Sequence, residues 1–99
     1  METKTYRFKD PHRIAKPLLE SLKDTAIAHI PDYLSICHIG NTTVILDIEP
    51  DRPGGNILSL EARLTAANSI LLEQDYSQFL AYVKKANKGY SLNNIKEKN

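Results

Sequence analysis

From Ile14 onward apolar side chains return at every fourth position: Ile14, Leu18, Leu22, Ala26 and Ile30, with Leu19 beside them. That spacing predicts an amphipathic helix running from Pro11 to Ile30. Asp10-Pro11 suits its start, because Asp accepts orphan N–H groups and Pro fits the first helical position. Pro17 predicts a kink or a fresh start, and Ile30-Pro31 predicts the end.

The pattern then changes period. Two runs, 33–39 and 42–48, flank Gly40-Asn41, a pair suited to a tight turn. They predict a β-hairpin with Ile39 opposite Thr42. In that register Tyr33, Ser35, Cys37, Ile39, Thr42, Val44, Leu46 and Ile48 share one face, which should meet the helices. Leu34, Ile36, His38, Thr43, Ile45 and Asp47 share the other, which is free to receive a partner.

Residues 49–56 (EPDRPGGN) read as a loop. Ile57, Leu60, Leu64, Ala67 and Leu71 predict a second helix capped by Asn56 or Ser59, and Ile70 and Leu72 widen its stripe. A third helix is expected from Asp75, with Gln78 at capping-box spacing and Tyr76, Phe79, Leu80, Val83 and Ala86 on its apolar face. Gly89 is placed to close it. Residues 1–9 read as a frayed tail, and 91–99 as a short edge strand or a second tail. The expectation is a single α+β domain over 1–99: one antiparallel hairpin or small sheet packed by three helices, in the order α-β-β-α-α, with a possible last β.

Composition adds limits. The 99 residues suffice for one core, and 41% hydrophobic with 25% charged is ordinary for a globular domain. The single cysteine, Cys37, excludes an intrachain disulfide and a cysteine-built zinc site, and it suits a reducing, cytoplasmic setting. No run is long enough for a membrane-spanning helix, and the first ten residues lack a signal-peptide core, so no membrane partner is expected. Net charge is +1 but unevenly spread. Residues 1–23 hold six basic and three acidic side chains, 24–75 hold two against eight, and 76–99 hold five against one. The chain is acidic in the middle and basic at both ends.

Candidate chemistry is sparse. Cys37 and His38 are strand neighbours and point to opposite faces, so they cannot form a thiolate–base pair, and Cys37 reads as a small core residue. His12, His29 and His38 lack ligand spacing, and no metal or cofactor is expected. Asp47, Glu49 and Asp51 alternate at a strand end and read as solvated charges. No hydrolase triad, phosphate loop or dinucleotide motif occurs, so no enzyme is expected. Two segments could bind an anion or nucleic acid. In Arg52-Pro53-Gly54-Gly55-Asn56 the glycines precede a predicted helix N-terminus, where backbone N–H groups could turn toward an anion; a plain connector is the competing reading. Lys84, Lys85 and Lys88 lie near Tyr82 and Tyr90, a mixture that suits single-stranded nucleic acid, although lysines at a helix C-terminus need no ligand.

The pieces Leu18-Leu19, Ile30-Pro31-Asp32-Tyr33-Leu34, Cys37-His38-Ile39-Gly40-Asn41 and Val44-Ile45-Leu46-Asp47-Ile48 together resemble the KH-like domain of DciA-type replicative helicase loaders. The resemblance covers about a third of the chain. This sequence departs from that pattern by inserting 51–55 and by having no Trp. It implies contact with single-stranded DNA or a helicase, without catalysis. The expected function is thus a non-enzymatic binding module for nucleic acid or a nucleic-acid-processing protein. The alternative is a small inhibitor, immunity or antitoxin-type protein that meets a protein partner through its acidic middle and hairpin surface. The free hairpin edge also allows a homodimer.

Overall fold

The computed structural model describes residues 1–98. Their order is β1 (Glu2–Phe8), α1 (Ala15–Ser21), β2 (Ala26–Ile30), β3 (Leu34–Ile39), β4 (Thr42–Pro50), β5 (Ile57–Ala66), α2 (Ser69–Ala86) and β6 (Ile95–Glu97). The strands form one antiparallel sheet in the order β2-β3-β4-β5-β1-β6. The α+β class holds, but a hairpin packed by three helices is replaced by a six-stranded sheet carrying two helices on one face.

The hairpin register is as the pattern predicts, with Ile39 opposite Thr42 and Cys37 opposite Val44. Ser35, Cys37, Ile39, Thr42, Val44, Leu46 and Ile48 are buried under the helices. Tyr33 differs: it lies in the turn before β3 and is 44% exposed.

Three helical expectations fail, each for a physical reason. Residues 57–66 form β5, not a helix. Leu60 and Leu64 fit a four-residue helical repeat and a two-residue strand repeat equally well. Ala62 and Ala66, also buried, complete the strand pattern, but they are small enough to be overlooked. The first helix is only seven residues, with Pro17 in its first turn, where the missing N–H has no intrahelical partner to lose. Ala26 and Ile30 leave it for β2, because Pro31 disfavours helical geometry at Ile30. Pro31 and the left-handed Asp32 (φ 71°) then make the turn, closed by the Tyr33 N–H donating to the Ile30 carbonyl at 3.1 Å.

The expected N-terminal tail is a strand in the body of the sheet. β1 lies between β5 and β6 and buries Tyr6 and Phe8. Its alternation is short and its other residues are polar, so a half-buried strand is easily mistaken for a tail. At the other end, 95–97 takes the edge-strand option, while Asn99 lies outside the described residues.

The third helix starts earlier than expected. Asn68 caps α2, accepting from the Leu71 N–H at 2.9 Å. Asp75 is therefore mid-helix and 5% exposed. Its carboxylate accepts from the Asn41 N–H at 3.0 Å and the Thr42 hydroxyl at 2.6 Å, tying α2 to the β3–β4 turn. Gly40, at φ 59°, has no room for a side chain beside this carboxylate. Phe79 and Val83 are fully buried, as the helical face predicts. Asn87 rather than Gly89 ends the helix, and its Oδ1 accepts the Gly89 N–H at 3.0 Å.

Candidate binding surfaces

Cross-strand pairing assigns the uncovered face of the sheet. One row runs Ala28, Ile36, Ile45, Arg63, Thr5; a second runs Ile30, Leu34, Asp47, Glu61, Arg7, Lys96. The face therefore changes character from side to side. Ile30, Leu34, Ile36 and Ile45 form an apolar patch over β2–β4. Asp47 and Glu61 follow, and then Arg7, Lys96 and Lys98 line the far side. A depression of about 350 Å³ between these regions is lined by Thr5, Ile45, Asp47, Glu61, Arg63 and Lys98. Glu61 joins its basic neighbours, with Arg7 at 3.1 Å and Lys98 at 3.2 Å. Partial burial alone would raise its pKa, but these two cations outweigh it and hold the carboxyl below its ordinary value.

The β2 border differs from the rest. All five residues of Ala26–Ile30 are exposed, and none is Asp, Glu, Lys or Arg. Ile27 is 62% and Ile30 54% exposed. The pairing with β3 shifts register between Ala26 and Ala28, a bulge at Ile27. Behind β2, a groove of about 420 Å³ separates it from α1, with Leu19, Ala26, Pro31 and Ser35 among its lining residues. The four-residue apolar spacing predicts the end of a helix at this border, where the structure has a strand. The Pro31-Asp32 turn beside it was the signal that could have revealed it as a strand.

The candidate anion-binding residues fall in two segments, the β4–β5 connection and the C-terminal end of α2. Arg52, Gly54, Gly55 and Asn56 form the β4–β5 connection, which leads into a strand and not a helix. No helix N-terminus stands behind it, so the dipole part of the anion-site argument is lost. Within the loop, the Gly55 N–H donates to the Arg52 carbonyl at 2.8 Å, and Gly54 supplies a left-handed φ of 76°. Lys84 is committed as well: its Nζ donates to the Lys88 and Tyr90 carbonyls at 3.1 and 3.2 Å. Lys85 and Lys88 are exposed. The two segments flank the turn at Pro11–Arg13. There His12 Nδ1 accepts the Ile57 N–H at 3.1 Å, and Asn87 Nδ2 donates to the Arg13 carbonyl at 3.3 Å.

Cys37 is fully buried, and burial pushes its thiol up, away from the reactive thiolate. Cys37 and His38 lie on opposite faces, as adjacent strand residues must. Among the described residues no three His, Cys, Asp or Glu side chains are grouped to hold a metal ion. No described helix is long and apolar enough to cross a membrane. Against this geometry, comparison with protein-family models, curated proteins and solved structures finds no match.

Proposed function

We propose that this protein is a non-catalytic recognition module that docks an extended segment of a protein along β2 by strand addition. The observation that supports this reading is the exposed, uncharged edge from Ala26 to Ile30, continuous with the apolar patch of Ile30, Leu34, Ile36 and Ile45. An edge strand offers unpaired N–H and C=O groups, and only another extended backbone satisfies them in sequence. With no charge on the edge, the segment it suits is uncharged too. Two of the carboxylates have structural partners: Asp75 is held by Thr42 and Asn41, and Glu61 by Arg7 and Lys98. The lone cysteine fits a reducing, cytoplasmic setting.

The test is titration of the isotope-labelled protein with an uncharged, strand-forming peptide, read by amide shifts and hydrogen exchange. Saturable shifts confined to Ala26–Ile30 and the adjoining β3 residues, with slowed exchange along β2, are expected. Shifts scattered over the surface, or none at millimolar peptide, overturn the reading.

A second reading keeps nucleic acid as the partner. It is favoured by the exposure of Arg52, Lys85 and Lys88 on two segments that are each tied to the Pro11–Arg13 turn, through Ile57 and Asn87. It requires salt-sensitive binding of a single-stranded oligonucleotide that weakens in Lys85→Ala and Lys88→Ala proteins, with a shallower salt slope. Peptide binding at β2 with no oligonucleotide binding at low salt decides for strand docking.

A further inference from the structure

We infer that the uncovered face of the sheet, where its apolar patch meets Asp47 and Glu49, docks an amphipathic helix of a protein partner that carries arginine or lysine beside an apolar residue. This surface is distinct from the β2 edge and stands without docking there. Cross-strand pairing sets its residues. Ile36, Ile45 and Arg63 lie in one row, Leu34, Asp47 and Glu61 in the next, and Glu49 and Ser59 beyond. Along β4 the uncovered side chains are therefore Ile45, Asp47 and Glu49, an apolar residue followed by two carboxylates. Leu34, Ile36 and Ile45 are only half-buried, because the helices cover the opposite face. At the acidic end a depression of about 230 Å³ is lined by Asp47, Glu49, Glu61, Ser59 and Arg7, three carboxylates against one guanidinium.

Charge selects the occupant. Asp47 stands directly opposite Glu61, and like charges across a strand pair repel. Glu61 has Arg7 and Lys98 on its other side, whereas Asp47 and Glu49 enter no ion pair among the described residues, and Arg63, diagonal to Asp47, is not paired with it. The carboxylates are not grouped to hold a metal ion, so the cation they suit is a long basic side chain reaching down from a partner. Backbone selects the partner's form. Strands β3, β4 and β5 bond one another and leave no N–H or C=O row on the face, so a segment lying there satisfies its own backbone groups, as a helix does. Helical positions four apart are separated by roughly 6 Å, close to the roughly 6.7 Å between alternate strand residues. A helix laid along β4 with an apolar residue i over Ile45 thus brings i+4 over Asp47 and i+7 toward Glu49.

The test titrates the isotope-labelled full chain with a stapled helical peptide carrying Leu at i and Arg at i+4 and i+7. Saturable amide shifts at Ile36, Ile45, Asp47 and Glu49 are expected, with affinity falling as salt rises. The protein carrying both Asp47→Lys and Glu49→Lys should bind this peptide roughly tenfold more weakly or worse, and a peptide with Glu in place of both Arg should bind that protein and not the parent. Amide spectra confirm that the variant keeps the sheet. No saturable shift at millimolar peptide overturns the inference, as do unchanged binding to the double variant, a charge-swapped peptide that fails to recover, or shifts along Ala26–Ile30 instead of β4. The uncharged strand-forming peptide separates the two surfaces, since it should bind parent and variant alike. If it binds and the helical peptide does not, face docking falls and strand docking stands; the reverse outcome leaves face docking standing alone.

Discussion

The sheet ends in β6 on one side and β2 on the other, and the two borders are held and finished differently. β6 has three residues, two of them charged, and is anchored from several directions. Ile95 is buried, the Lys98 N–H donates to the Thr5 carbonyl at 2.7 Å, and Lys98 Nζ reaches Glu61 at 3.2 Å. Just before it, Tyr90 is fully buried against Phe8 and donates its hydroxyl to the Lys9 carbonyl. β2 is longer, uncharged and exposed along its whole length. Short, charged edges discourage stray pairing, whereas long uncharged ones invite it. The contrast teaches that the fold finishes one border with charge and packing, and the other with a bulge at Ile27 and Pro31 but no Asp, Glu, Lys or Arg.

Removing the anchor of the protected border should cost most. Tyr90→Ala empties a fully buried site and should lower stability by about 3–5 kcal/mol, whereas Tyr90→Phe, which loses only the hydroxyl bond, should cost about 1 kcal/mol. Urea denaturation gives both values. Faster exchange at the amides of Lys9 and Lys98 would show that β6 loosens first; uniform loosening of the whole sheet would not support its separate anchoring.

The same side should fail in alkali. Burial pushes Tyr6, Tyr76 and Tyr90 from 10.0 up to about 12, and Tyr6 and Tyr76 stack at 4.2 Å. The folded state keeps these protons longer than the unfolded state. Their contribution is therefore complete below pH 10 and is lost as the pH rises toward about 12. Denaturation midpoints that stay level across this window would refute the linkage.

A third change acts on the platform that supports β2. Asp75→Ala leaves the buried Thr42 hydroxyl and the Asn41 N–H without their acceptor, and should cost about 2–3 kcal/mol by thermal or urea unfolding. Gly40 should tolerate alanine better in that protein than in the parent, because the crowding carboxylate is gone, though the strain at positive φ remains.

Smaller effects sharpen the contrast. Glu61→Gln weakens the ties to Arg7 and Lys98 and should cost about 0.5–1 kcal/mol at neutral pH. Since the folded state lowers the Glu61 pKa, its contribution exists above the unfolded value and fades as pH falls through the folded one. The parent and Glu61→Gln should thus converge in acid. Least of all, Ile30→Lys makes β2 resemble β6. It should shift stability by no more than about 0.5 kcal/mol while weakening peptide docking by up to about fivefold. Unchanged docking would show that the open border is not the binding surface.

The hairpin was legible because alternation from Ser35 to Ile48 is unbroken and Gly40-Asn41 marks its turn. The apolar face of α2 was legible for a similar reason, since Phe79, Leu80 and Val83 have helical spacing and no strand reading. β5 was not, because Leu60 and Leu64 satisfy both periods and the deciding positions are alanines. β1 was hidden by Thr5 and Arg7, whose polarity reflects an uncovered sheet face and not a solvated tail, and by Lys4, which lies on the covered face and reaches Glu73 of α2 at 3.3 Å. Of the anion candidates, the loop at Arg52–Asn56 was located correctly as a loop, but its supposed helix was a strand. The open border was missed because Ala26 and Ile30 continue the helical spacing of α1.

Taken alone, the sequence determined what is written in neighbouring residues. It set the hairpin and its register, the buried cysteine, the apolar stripe of α2 and the uneven charge. Tertiary structure decided the rest through contacts between distant residues. It drew Glu2–Phe8 between β5 and β6, aimed Asp75 at a turn 34 positions earlier in the chain, and chose strand over helix wherever both repeats fitted. Local spacing cannot make those choices, because backbone hydrogen bonds to another strand, absent until the chain closes on itself, set the balance between nearly equal alternatives.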